Sequence, residues 1–298
     1  MRENDGVTSA SPRPWTTATS ALPPRLIATD LDGTLLRDDK SVSPRTVAAL
    51  AAAEEAGIEV FFVTGRPARW MDVVSAHLHG HGIAICGNGA AVVDLHGGAV
   101  NPRFLKVREL AADSALQVVR TLREAAPDTA FAIERTGGLH HEPAYPPLSF
   151  DVGESVAPAE KLLAAGSAVA AEPVLKLLAH HPDLAPDAFL GLARAVVGER
   201  ANVTRSSPTA LLEISGPGVS KASTLELCCA ERGISPAEVI AFGDMPNDVE
   251  MLNWAGTSYA MGNAHPDVLA AASGRTTGNN EDGVALVIER LLTARRTD

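Results

Sequence analysis

Asp30 and Asp32 stand one residue apart at the end of an apolar run, "LIATDLDGTLL", and Gly33 follows them. Two other apolar runs also end in polar groups: "IEVFFVTGR" delivers Thr64 and Gly65, and "EVIAFGDMPND" delivers Asp244, Asn247 and Asp248. Carboxylates that converge on one place repel and raise one another's pKa values unless a cation neutralises them. Oxygen-only donors favour a hard divalent ion, and Mg²⁺ typically takes one or two carboxylates, waters and a substrate phosphate. Thr64 adds a hydroxyl and Gly65 a sterically open backbone N–H near a helix start, which is an anion site. Lys221 is the cation that completes the charge balance.

These groups meet only if the chain brings three strand ends to one edge. From Arg25 onward the pattern alternates strand and helix: "LIAT", a helix from Pro44, "IEVFFV" at 58–63, a helix after Pro67, and "GIAIC" at 82–86. Ser43 and Pro44 supply an N-cap and a first-turn proline, and Gly57 supplies a stop. This βαβαβ order predicts a parallel sheet, whose ligands sit beyond the carboxyl ends of its strands. After Asn88 the pattern changes to a hairpin around His96-Gly97-Gly98. A helix near 107–124, strands at 129–135, 173–180 and 209–215, and a helix near 186–198 then read as an α+β insertion. The alternating pattern resumes with a helix from Val219, a strand at 238–244, a helix from Pro246, a strand at 257–262 and a helix near 283–292.

The expected organisation is therefore an α/β core over 25–88 and 216–298, an insert over 89–215, and a flexible tail over 1–24. The formal charge of −11 excludes the basic face of a nucleic-acid binder and disfavours an anionic membrane. No run of ~18 apolar residues marks a transmembrane helix. Three cysteines, two of them adjacent, read as core packing in a reducing cytoplasm. Nothing in the sequence sets the oligomeric state.

In order along the chain, "DLDGTLL", "VTGR", Lys221 in "GVSKASTL" and "GDMPNDVEML" resemble the four motifs of the haloacid-dehalogenase-like phosphatase superfamily. "GNGA" at 87–90 and "GNNEDGVA" at 278–285 resemble further segments of its Cof-type branch, which carries a large α/β cap. The resemblance covers nearly everything after residue 25. It implies a Rossmann-like parallel-sheet core with an inserted α+β cap domain. It also implies Asp30 as nucleophile and Asp32 as general acid–base group, with Thr64 and Lys221 on the phosphoryl oxygens. Mg²⁺ would be held by Asp30, the Asp32 carbonyl and Asp244, with Asp248 supporting that shell or Lys221. Gly65 and Asn247 are further phosphate-site candidates. Gly87 stands where the branch often carries serine, so Asn88 is kept as a hinge or substrate-edge candidate.

The expected activity is Mg²⁺-dependent hydrolysis of a small phosphomonoester, a sugar phosphate or a phosphorylated cofactor such as pyridoxal phosphate. The alternatives are a phosphomutase and a non-catalytic sugar-phosphate-binding protein. A calcium loop does not fit, because Thr34-Leu35 breaks its ligand pattern. A dinucleotide site lacks its G-x-G-x-x-G after the first strand. The histidines (His77, His79, His81, His140, His141, His180 and His181) have no zinc-site pattern and read as solvated, with His140, His141 and Glu142 as an alternative cap edge facing substrate.

Overall fold

The Ser43 hydroxyl accepts the Thr46 N–H at 3.0 Å and so caps the helix that begins at Pro44. Ser220 caps the helix that begins at Lys221 in the same way. The computed structural model describes residues 22–75, 82–96, 102–146, 155–205 and 211–295. The expected tail at 1–24 lies, apart from its last three residues, outside the described residues, as do His77, His79 and His81.

The chain opens with β1 (Leu26–Thr29), α1 (Pro44–Glu55), β2 (Glu59–Val63), α2 (Asp72–Ser75), β3 (Ile83–Cys86), β4 (Ala91–Asp94) and β5 (Arg103–Val107). The middle contains α3 (Ala112–Ala125), β6 (Ala130–Arg135), β7 (Leu139–His141), β8 (Ser155–Val156) and α4 (Ala159–Leu162). It continues with β9 (Val174–His180), α5 (Pro186–Val197), β10 (Asn202–Thr204) and β11 (Leu211–Ser215). The last part holds α6 (Lys221–Glu231), β12 (Val239–Gly243), α7 (Val249–Trp254), β13 (Thr257–Ala260), α8 (Pro266–Ala271), β14 (Gly274–Arg275) and α9 (Gly283–Arg295).

Among the described residues the strands form two sheets. The first has the order β14-β13-β12-β1-β2-β3-β4-β5, parallel from β14 through β3. β1 lies inside it, and its four residues are all buried. Alternation sends Ile27 to the side of α1 and α9, with Leu50 and Ile288, and Leu26 to the side of α6 and α7, with Leu225 and Met251. Burial on both faces explains why this strand reads as a continuous apolar run. The second sheet, β10-β11-β9-β6-β7-β8, is antiparallel except for the β7–β8 pair. One face packs Phe131, Leu177 and Ile214 against Val118 of α3 and Phe189 of α5.

The structure moves one boundary. The hairpin placed in the insert belongs to the first sheet, because β4 pairs antiparallel with β3 and β5 with β4. A tight antiparallel return can extend a parallel sheet at its edge, and local pattern does not say which sheet receives it. The second sheet and its helices therefore begin after Val107 rather than at residue 89. The helix expected after Pro67 is, among the described residues, a 3₁₀ turn at Ala68–Trp70 followed by α2. The histidine expectation also fails in part: His140 and His181 are buried.

Candidate active site

β1 ends at Thr29, and the Asp30 N–H continues the parallel ladder to the Phe242 carbonyl of β12 at 3.1 Å. The chain then turns back on itself at Gly33, whose φ is +78°. A Cβ at this position would lie 2.2 Å from Asp244 Oδ2. Only glycine accepts both the left-handed backbone and that approach. The turn thus seats the loop after β1 directly on the loop after β12. Thr34 Oγ1 donates to Asp244 Oδ1 at 3.0 Å, and the Asn263 amide donates to the Gly33 carbonyl at 2.8 Å.

Lys221 is the first residue of α6, capped by Ser220, and its side chain is 1% exposed. Its ammonium lies 2.6 Å from Asp30 Oδ1 and 2.6 Å from Asp248 Oδ1. The other oxygen of Asp248 accepts the backbone N–H groups of Asp244 and Met245, each at 3.0 Å. One buried aspartate thereby orients both the lysine and the loop that carries Asp244. Carboxylate oxygens of Asp30, Asp244 and Asp248 lie within 4.8 Å of one another.

Burial pushes the Asp30 carboxyl well above its ordinary range, against the pull of Lys221. Burial, with the nearby Asp248 charge, raises Asp244 to about 7. Burial opposes the charge on Lys221, but Asp248 and Asp30 overcome it and hold the ammonium above its usual value. The cluster is a set of hard oxygen donors, two of them with raised affinity for a positive charge. That chemistry fits a divalent cation.

Asp32 faces other partners. Arg66 Nε reaches its Oδ2 at 2.6 Å and Nη2 its Oδ1 at 2.8 Å, while Lys40 Nζ lies 2.9 Å from Oδ1. Partial burial would raise this carboxyl, but the bonds from Arg66 and Lys40 bring it down to about 2. Its carboxylate is not part of the acidic cluster.

Thr64 follows β2; its Oγ1 accepts the Arg66 N–H at 3.1 Å, and its carbonyl accepts the Asn88 N–H at 3.0 Å. Asn88 holds a left-handed backbone, φ 56° and ψ 35°. Its amide donates to Glu213 Oε2 at 2.9 Å and accepts from Asn247 at 3.0 Å. A cavity of about 430 Å³ opens here, lined by Asp30, Asp32, Thr64, Gly65 and Asn247 among others. Lys221, Asp244, Asp248 and Asn88 stand behind that lining. The structure therefore brings every candidate read from the motifs to one place.

The roof was not anticipated. Lys176 of β9, Glu213 of β11 and Glu134 of β6 line the cavity from the second sheet, and Arg69 and Trp70 line it from the 3₁₀ turn after β2. Arg69 pairs with Glu134, one bond measuring 3.0 Å, and its guanidinium lies 5.6 Å from the Trp70 ring centre. The signal for Glu134, Lys176 and Glu213 was charge inside three otherwise apolar strands: Glu134 beside Arg135 in "AFAIER", Lys176 in "VLKLLAH" and Glu213 in "LLEIS". His140, His141 and Glu142 do not line this cavity. Glu142 instead accepts the N–H groups of Phe131 and Ala159 and a bond from Arg123.

The sequence profile of the haloacid dehalogenase-like hydrolases matches residues 27–288. The chain belongs to that family. This hydrolase is 31% identical over 270 residues to the pyridoxal phosphate phosphatase YbhA of Escherichia coli, covering 89% of this chain and 97% of the relative. It is also 31% identical over 255 residues to an HMP-PP phosphatase of Serratia proteamaculans, covering 82% and 86% of the two chains. A haloacid dehalogenase-like hydrolase from B. subtilis shares its fold, with a TM-score of 0.76 at 24% identity over 89% of this chain and 99% of the other. The hydrolase is accordingly a phosphoric monoester hydrolase of the Cof-type branch. No helix among the described residues is long and apolar enough to cross a membrane.

Proposed function

We propose that this enzyme hydrolyses small cytoplasmic phosphomonoesters, sugar phosphates or phosphorylated cofactors of the pyridoxal phosphate type, through an aspartyl-phosphate on Asp30. The observation that carries the reading is the placement of Asp30 at the cavity wall, held by Lys221 and close to Asp244 and Asp248. The similarity to a pyridoxal phosphate phosphatase and to an HMP-PP phosphatase supports the small-metabolite class.

In the first step an Asp30 oxygen attacks phosphorus and the bond to the leaving oxygen breaks, leaving the phosphoryl group on Asp30. Asp32 gives a proton to the leaving oxygen, then takes one from the water that attacks phosphorus and releases phosphate. Asp32 is held as a carboxylate by Arg66 and Lys40 in this structure. Acting as the acid therefore requires it to exchange those partners for a proton. Lys221 neutralises the attacking and developing negative charge, and Thr64 and Gly65 offer donors to the phosphoryl oxygens, with Asn247 beside them. Asp30, Asp244 and the Asp32 carbonyl would hold Mg²⁺, while Asp248 holds Lys221. Bound there, the ion would offset the converging carboxylates and polarise the phosphoryl oxygens.

The test is phosphate release from sugar phosphates, nucleotides, pyridoxal phosphate and an aryl phosphate, with Mg²⁺ and with EDTA. Mg²⁺-dependent release that disappears in a folded Asp30→Asn variant is the expected result. Wild-type turnover in that variant would falsify Asp30 as the nucleophile. Phosphoryl transfer within a sugar phosphate without free phosphate would identify a mutase instead.

A further inference from the structure

Lys176 and Glu213 form an ion pair whose side chains are 5% and 6% exposed. They stand on adjacent strands of the second sheet, on a face that also carries Ala132, Leu178 and Leu211 and, opposite Lys176 in register, Glu134, which pairs with Arg69. Replacing a buried ion pair by apolar residues is often neutral or stabilising, so a pair kept at such a place calls for a reason besides packing. The remaining bonds of the two residues supply one. Lys176 Nζ donates to the Gly65 carbonyl at 2.7 Å, and Glu213 Oε2 accepts from Asn88 Nδ2 at 2.9 Å. Both acceptor and donor belong to the first sheet's loops.

Gly65 is packed tightly here: a Cβ on it would lie 3.3 Å from Asn88 Oδ1 and 3.4 Å from Glu213 Oε1. Asn88 in turn accepts from Asn247, in the loop that carries Asp244 and Asp248. A continuous polar chain thus runs from the Gly65 carbonyl through Lys176, Glu213 and Asn88 to Asn247. It ties the phosphate-side loop after β2 and the acidic loop after β12 to one pair on the insert.

We propose that Lys176 and Glu213 are positioning residues, which set the geometry of the Thr64–Gly65 loop and of Asn247 and so make phosphoryl transfer depend on engagement of the insert. The proposal rests on the phosphatase reading. Its physical basis is pre-organisation: a peptide group held from both sides presents its donors without paying ordering entropy at the moment of reaction. Misplacement of such groups by about 1 Å costs on the order of 10²-fold in rate.

The decisive variant is Lys176→Met/Glu213→Leu, which removes both charges together and leaves none buried alone. It should stay folded with only a modest fall in thermal midpoint, because the pair is replaced by apolar volume while the Gly65 carbonyl and the Asn88 amide each lose one partner. Its kcat should fall about 10²-fold on an aryl phosphate and on a sugar phosphate alike, with KM changed much less. Backbone amide exchange of Gly87 and Asn88, whose N–H groups donate to the Arg66 and Thr64 carbonyls, should become faster. A folded double variant with wild-type kcat overturns the proposal. A loss confined to sugar phosphates also overturns it, because the pair would then be contacting the leaving group. If the wild type releases no phosphate at all, the phosphatase reading fails separately, and unchanged exchange in the double variant still rejects the positioning role.

Discussion

Arg66 grips Asp32 through two parallel bonds, Nε to Oδ2 at 2.6 Å and Nη2 to Oδ1 at 2.8 Å. The fork geometry suits a carboxylate and holds its pKa at about 2 against the effect of burial. The sign follows: a carboxyl depressed in the folded state stabilises the fold above its unfolded value of 3.8, and that contribution is lost as pH falls toward about 2. Arg66→Gln should raise the Asp32 midpoint toward 3.8, read by carboxyl ¹³C chemical shifts. The stabilities of variant and wild type should draw closer as pH falls through the same window. An unchanged Asp32 midpoint would remove Arg66 as the cause.

Asp244 titrates in the opposite sense. Its carboxyl is raised from 3.8 to about 7 by burial and by Asp248, so the metal-free fold loses stability as pH rises between those values. A cation must displace that proton, so affinity for Mg²⁺ should weaken by up to about tenfold for each pH unit below about 7. Mg²⁺ should therefore raise the melting temperature more at about pH 8 than at about pH 5.5. Equal shifts at both would exclude Asp244 as a ligand.

Lys221→Met leaves Asp30 and Asp248 buried without their shared ammonium. Removing one partner of a buried pair costs about 3–5 kcal/mol. The cost should shrink under mild acid, because a carboxyl already raised by burial takes up a proton readily. Denaturant unfolding at neutral and acidic pH checks both the size and its direction.

Gly33→Ala places a Cβ 2.2 Å from Asp244 Oδ2 on a backbone at φ +78°. The strain should cost about 1–3 kcal/mol. Displacement of Asp244 should also weaken the response to Mg²⁺. A variant with wild-type melting and wild-type Mg²⁺ dependence would show that the two loops separate without consequence.

Much of this site was legible because its residues sit at strand ends. An apolar strand buried on both faces, as at Leu26–Thr29, announces itself in the sequence, and the polar group that follows it must emerge at the sheet edge. The residues that line the roof carry no such marker. Lys176, Glu213 and Glu134 are charges within largely apolar strands, far apart in the chain, and meet only through antiparallel register. The hairpin at Ala91–Val107 was misplaced for a related reason: an antiparallel return pairs equally well with either sheet until an edge is available.

The sequence by itself determined the parallel core, the four motif segments and the family to which their order points. Local periodicity, caps and turn glycines act over a few residues, and the polar groups follow the strands they terminate. Only the tertiary structure decided that Lys221 is shared by Asp30 and Asp248, that Asp32 is held by Arg66, and that the insert reaches Gly65 and Asn88. Those relationships depend on distances between loops separated by tens to hundreds of residues. Such distances are set by sheet order and register, and no local pattern carries them.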